Sequence, residues 1–514
     1  MRSTSASTTS LVHQLSRRGF LTGTLTGVAV ALVAACAPAA APAATPVPVA
    51  PAAPAAPAAP AAPTATSAPA AAAAPAATAT TAPAAAPAPA ATATTAPAAQ
   101  AAPAAAGQTK IQFYSPATDK LGKKIIQELA DQYNKTSTKA FANVQTVPTD
   151  NHYAKYVTAI AGGQSPDAIM TYDYTPIVDW ASQGFIVTLD DYQKTMNIKK
   201  EDYFPVAWNM INFHGHLWGF MQEFDFNILA WNSSILTKAG IDPTAAPKTM
   251  DDFDKLATQL TVKDATGNLS QIGFCPWITG STLLWAAMWG GKFYDPNSDA
   301  WTVVTDANVA ALDWHLKYAK ILGGPDKVTT FTKIFTGDQT PFYQEQMAYE
   351  SMGEYIPIVL PDQAPKLKYG LGYNPTGPGV PYGTGQTDGG NLFVLPKGAP
   401  NPELGADFMG YMAGDAAVLQ WNVEENNFPP VKAVAFGADF LAKVPLMKVW
   451  VDLLKEDKMV PPATSPINPF FTDQLTTASQ EVIFGKKSSK QALTDLAAKV
   501  ADQLKQFKTA HPNW

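Results

Sequence analysis

Arginine is missing from nearly all of this 514-residue chain. Its three copies, Arg2, Arg17 and Arg18, fall within the first 18 residues. Arginine is the side chain that holds carboxylate and phosphate groups in a planar, two-pronged grip, so its absence counts against an anionic ligand without excluding one. Cysteine is equally scarce, with Cys36 and Cys275 alone. With Cys275 by itself in the folded part, neither an internal disulfide nor a thiol-rich metal site is available there. No Asp or Glu occurs in the first 107 residues. No hydrophobic run reaches the roughly 20 residues that span a bilayer as a stable helix. A P-loop, a Gly-x-Ser-x-Gly elbow and a His-Glu-x-x-His metal motif are all absent, and no basic patch suggests nucleic acid.

What is present starts with the leader. Arg17 and Arg18 precede an uncharged apolar run from Phe20 to Ala35, which ends Leu32-Val33-Ala34-Ala35-Cys36. Charge, short apolar run and small-residue exit are the layout of an export signal over residues 1–35. The Arg pair with Phe20 and Leu21 resembles a Tat signal, with Thr22 where Lys is common. Val33-Ala34-Ala35-Cys36 resembles a lipobox, which implies acylation of Cys36 as the new N-terminus. The competing reading is a plain secretory signal with an incidental cysteine. Residues 36–107 are the cysteine and then almost only Ala, Pro and Thr. Such a tract has nothing large to bury and cannot offset the entropy of folding, so a disordered, stalk-like tether is expected.

Residues 108–514 hold 33 lysines against 42 acidic residues, a net charge of −9. They are about twice the size of a typical single domain. Ile111 to Tyr114 alternates like a strand, and Ser115-Pro116 reads as a helix start followed by Leu121, Ile125, Leu129 and Tyr133 at helical spacing. A strand near Phe141 to Val147 and a helix near Tyr153 to Ile160 come next. A short buried strand at Ala168 to Met170 follows, then a helix capped at Thr175-Pro176. This alternation predicts an α/β fold with a parallel sheet, whose ligands sit beyond the carboxyl ends of the strands. Tyr114-Ser115 and Tyr172-Asp173 are then the first candidates.

Several stretches, taken in order, resemble the family 1 extracellular solute-binding proteins. They include Gly163-Gln164-Ser165-Pro166-Asp167-Ala168, Gly184 to Asp191, His214 to Phe220, and Leu229-Ala230-Trp231-Asn232. Pro247 to Phe253, Gln346 to Gly353 and Ile483 to Leu493 continue the series. The resemblance implies a two-lobe periplasmic-binding-protein-like fold with a hinge, the first lobe about 109–222 plus 367–417 and the second about 223–366 plus 418–514. It implies a substrate-binding lipoprotein of an ABC importer that takes a sugar or oligosaccharide and hands it to membrane permease subunits, working as a monomer without a cofactor. Carried over, the ligand-facing residues are Tyr114, Ser115, Tyr172, Asp173, Glu223, Asp225, Trp277, Glu354, Tyr355, Gly390, Asn391, Asn427 and Phe428.

Sugars offer C–H faces to aromatic rings and hydroxyls to carboxylates and amides, which suits this set. Each member has a rival reading. Trp285 and Trp289 are one helical turn apart beside Leu284 and Met288, which favours core packing. Asp173 could cap a helix, although Thr175 is better placed before Pro176. Glu223 and Asp225 could be the acid and base of a glycoside hydrolase, but a productive pair usually comes from separate elements. His214-Gly215-His216 lacks a third metal ligand and reads as a hairpin turn. Asp295 to Asp299 starts like a calcium loop, but Ala300 stands where that loop needs Gly, so a plain turn is favoured. A polyamine or a glycerol-phosphate ester on the same fold remains the alternative ligand.

Overall fold

The computed structural model describes residues 107–514 apart from 149–151, 175, 297, 337–338 and 513. The export signal, Cys36, the Ala/Pro tract, the Thr175 cap and Asn297 of the calcium-like stretch lie outside the described residues.

The first sheet begins with strand β1 (Thr109–Ser115), which pairs in parallel with β2 (Ala140–Thr146) on one side and β3 (Ala168–Thr171) on the other. β1 and β2 are joined by helix α1 (Lys120–Thr136), and β2 and β3 by α2 (His152–Ala161). The expected strand-helix-strand order is present. The expected helix start at Ser115-Pro116 is not. Asp119 caps α1 instead, accepting from the backbone N–H of Gly122 at 2.7 Å. Ser115 Oγ is used two residues on, where it accepts from Ala117 N. A carboxylate at the N-cap adds charge complementarity with the helix dipole, which a serine lacks. The middle of this sheet is closed by a late segment: Leu392–Pro396 pairs antiparallel with β3 and with strands from Ile186–Val187 and Phe220–Met221.

A second, antiparallel sheet lies further along the chain. Its centre is Ile228–Asn232, flanked by Tyr349–Met352 and Tyr369–Gly372. Around it gather separate apolar clusters built on Phe253, Phe274, Trp285 and Trp314, and on Leu312, Phe471 and Leu493. These two bodies are the two lobes. Pairing of Tyr369–Gly372 with Ile228–Asn232 puts this segment in the second lobe, which corrects the expected border at 367. The border at 418 is corrected in the other direction. Val418, Trp421, Phe428, Phe440 and Trp450 pack in one core with Phe113 and Phe224 of the first lobe.

Three crossings link the lobes, and they pair with one another. Gly385–Gly389 lies between Asp225–Phe226, antiparallel, and Met459–Val460, parallel. A three-stranded hinge of short segments can twist without disturbing either core. The last helix, Ser489–Ala510, packs in the second lobe, but the chain then returns to the first. Trp514 rests against His214 at 4.8 Å and Trp218 at 5.8 Å between ring centroids. His214 and Gly215, both at positive φ, make the hairpin turn between Asn212–Phe213 and His216–Leu217 as expected. No helix among the described residues is long and apolar enough to cross a membrane.

Candidate functional site

The cleft between the lobes is lined by the hinge and by the strand ends that face it. Glu223 precedes the first crossing strand and is 3% exposed, with Oε2 accepting from Trp421 Nε1 at 2.8 Å. Asp225 lies on that strand and keeps part of its surface open. Glu354 comes from the second lobe, just after Tyr349–Met352, and is 1% exposed. It is tied to the first lobe through its backbone carbonyl, which accepts from Asn426 Nδ2 at 2.8 Å. Tyr174 OH makes a similar bridge, donating to Ala463 O at 2.7 Å. The lobes therefore touch across the cleft.

Burial and mutual repulsion govern the charge here. Burial pushes the Glu223 carboxyl well up, with the Asp225 charge adding to it and the Trp421 hydrogen bond opposing. Glu354 is also pushed well up, by burial first and then by Asp225. Asp225 stays lower, at about 6, because the Glu354 side chain donates to it and partly offsets its burial. Two adjacent carboxyls that share a proton in this way hold one net charge rather than two. Glu425, beside Asp119, is raised to about 8 by burial and by the Asp119 charge. Tyr172 packs at this acidic end, its hydroxyl kept protonated by burial and by Asp119, Glu425 and Glu223. None of the groups of acidic, histidine or cysteine side chains among the described residues could hold a metal ion.

The structure brings together Tyr172, Asp173, Glu223, Asp225 and Glu354, which act on one another electrostatically. Gly390 and Asn391 border them. Gly390 adopts φ +147°, and a Cβ there would come within 2.5 Å of Glu223 O. Asn391 is buried, and its carbonyl accepts from Gln222 N. Asn427 follows Asn426 and is half-buried. Tyr114 is half-buried against Tyr156, and Ser115 is buried with its hydroxyl used locally. Trp277 is half-buried between two apolar clusters of the second lobe, and Tyr355 packs against one of them.

Phe428 is a correction. It is fully buried and meets Phe224 at 5.3 Å and Phe226 at 5.6 Å, so its ring belongs to the core behind the hinge and offers no face to a ligand. Trp285 is core, as its spacing suggested, with Nε1 donating to Pro276 O and Thr279 O. Sequence reasoning missed Asp119, Glu425 and the Trp421–Glu223 contact. The paired Glu424-Glu425 at the end of the helix Asp415–Glu424 was the available signal for one of them. A surface concavity beside Lys248, Thr249, Gly377 and Tyr382 lies elsewhere and contains none of the cleft carboxylates.

Known proteins share this two-lobe fold. CpMnBP1, solved with mannotriose, is 24% identical and superposes with a TM-score of 0.66 over 76% of this chain and 99% of its own. The sugar-binding protein MalE of Xanthomonas citri is 16% identical with a TM-score of 0.65, over 79% of this chain and 100% of its own. At these identities the likeness speaks for the two-lobe fold. In sequence, the sn-glycerol-3-phosphate-binding periplasmic protein of Pectobacterium atrosepticum is 24% identical over 357 residues, 64% of this chain and 74% of that protein. Residues 117–419, well over half the chain, match the sequence profile of the bacterial extracellular solute-binding proteins. With two lobes, a three-strand hinge and polar groups converging on the cleft, the chain belongs to that family.

Proposed function

We propose that this protein is the exported receptor of an ABC importer, binding a sugar or oligosaccharide between its lobes and passing it to membrane permease subunits. The observation that carries this reading is the hinge-side cleft, where carboxylates from both lobes stand beside the half-buried Tyr172. Hydroxyl-rich ligands use such acceptors, while aromatic rings stack on their C–H faces. Two solved relatives of the same fold were captured with mannotriose and with maltose. Binding needs no chemistry on the ligand. A solute that touches both lobes stabilises their closed arrangement, and the permease reads that arrangement. The signal-like leader and Cys36 fit a lipid-tethered protein on the outer face of the cytoplasmic membrane, held off by the Ala/Pro stalk. The phosphate ester named for the Pectobacterium relative suits this cleft poorly, since buried carboxylates repel it and no arginine follows the leader.

The test is a thermal-shift screen of the purified chain against mono- and oligosaccharides, sugar phosphates and polyamines. A ligand that binds only the folded state stabilises it by about 2.7 kcal/mol at a hundredfold excess over Kd. Stabilisation by one class of sugar is the expected result, with Asp173→Ala and Trp277→Ala each weakening binding of that sugar at least tenfold. Sustained release of reducing sugar would instead make the protein a hydrolase and sink the reading.

A further inference from the structure

The buried Glu223 and Glu354 and the half-buried Asp225 meet, among the described residues, no cation that balances them. Among the described residues, none of the ion pairs made by lysine or histidine reaches Glu223, Asp225 or Glu354. Glu354, almost wholly buried, leaves Oε2 without a hydrogen-bond partner while its side chain faces Asp225. Removing a carboxylate from water costs several kcal/mol, and hydroxyl groups satisfy its lone pairs without neutralising its charge. A cleft meant only for neutral hydroxyls could use amides at these positions at far lower cost. An ammonium group supplies what is missing: up to three donors and a full positive charge. The half-buried ring of Tyr172 nearby favours a cation as well.

We propose that the ligand is a carbohydrate bearing a free, protonated amino group, seated between Glu354, Asp225 and Glu223. This rests on the carbohydrate reading of the same cleft. One proton held by the empty cluster leaves to solvent for each ammonium that enters, so the net charge of the site is unchanged.

The experiment is isothermal titration of the full chain with three probes of equal length and linkage: a β-1,4-glucosamine trimer, its fully N-acetylated counterpart, and cellotriose. Spermidine is titrated alongside. The glucosamine trimer is expected to bind at least tenfold more tightly than both neutral trimers, with proton release that shows as a buffer-dependent heat. Equal or tighter binding of a neutral trimer overturns the amine and leaves the carbohydrate reading intact. Binding of spermidine alone does the opposite: it keeps the cationic seat and removes the sugar. Glu354→Gln preserves the shape of the side chain and should cost the glucosamine trimer at least tenfold more affinity than it costs either neutral trimer. A loss spread equally over all three trimers would mark Glu354 as merely structural and overturn its part.

Discussion

Glu350 lies on the second lobe's strand Tyr349–Met352, 8% exposed, and its Oε2 meets no donor. Burial raises its carboxyl to about 8. The sign of the consequence is fixed by which state keeps the proton. Between the ordinary carboxylate range and about pH 8, the folded chain holds a proton that the unfolded chain has released. This group's stabilising contribution is therefore complete at low pH and declines as pH rises through that window. Glu350→Gln should flatten the dependence of Tm on pH and raise Tm at pH 8 by ~2 °C or more. Parallel curves for the two proteins between pH 5 and 8 would show that Glu350 does not titrate this way. Phe428 marks the limit of reading at this scale. An aromatic beside Asn426 and Asn427 suits a sugar platform in sequence, but its fate depends on Phe224, Phe226 and Phe440 arriving from distant segments. Asp173 was easier to single out, because a strand end leaves a local mark, whereas Glu223 was singled out through the family resemblance.

At the scale of elements, the first three strands and their helices were legible from alternation and spacing, since each is formed by contiguous residues. The hinge was not. Its strands are two to five residues long, too short to show a period, and their pairing joins positions 74 to 164 residues apart. The misplaced borders at 367 and 418 follow from the same cause. Tyr369–Gly372 and the helices after 418 are assigned to a lobe by their partners, not by their own composition. Gly390 tests the turn that leads out of the hinge. Gly390→Ala would force a Cβ against Glu223 O at a φ that L-residues avoid, and should cost about 2–3 kcal/mol. Denaturant unfolding measures this directly. An unchanged midpoint would mean that the turn relaxes freely.

Across the whole molecule, the tail beyond the last helix adds a contact between the lobes outside the hinge. Trp514 packs against His214 and Trp218 of the first lobe, whereas the helix that carries it belongs to the second. An aromatic contact of this kind contributes about 0.5–1.5 kcal/mol. Trp514→Ala should therefore shift the lobes toward separation and weaken ligand binding by roughly two- to tenfold. Small-angle scattering of the unliganded protein would then give a larger radius of gyration. Unchanged affinity and radius would leave the tail without influence on closure.

The order of the strands also has a consequence in time. Leu392–Pro396 fills the centre of the first sheet, between β3 and the strands at Ile186–Val187 and Phe220–Met221. Until that segment leaves the ribosome, β3 presents a bare apolar edge, with all four of its residues destined for burial. At bacterial synthesis rates this wait lasts on the order of 10–45 s. The nascent chain must be shielded or kept loose for that interval, and neither lobe can be finished before most of the protein has been made.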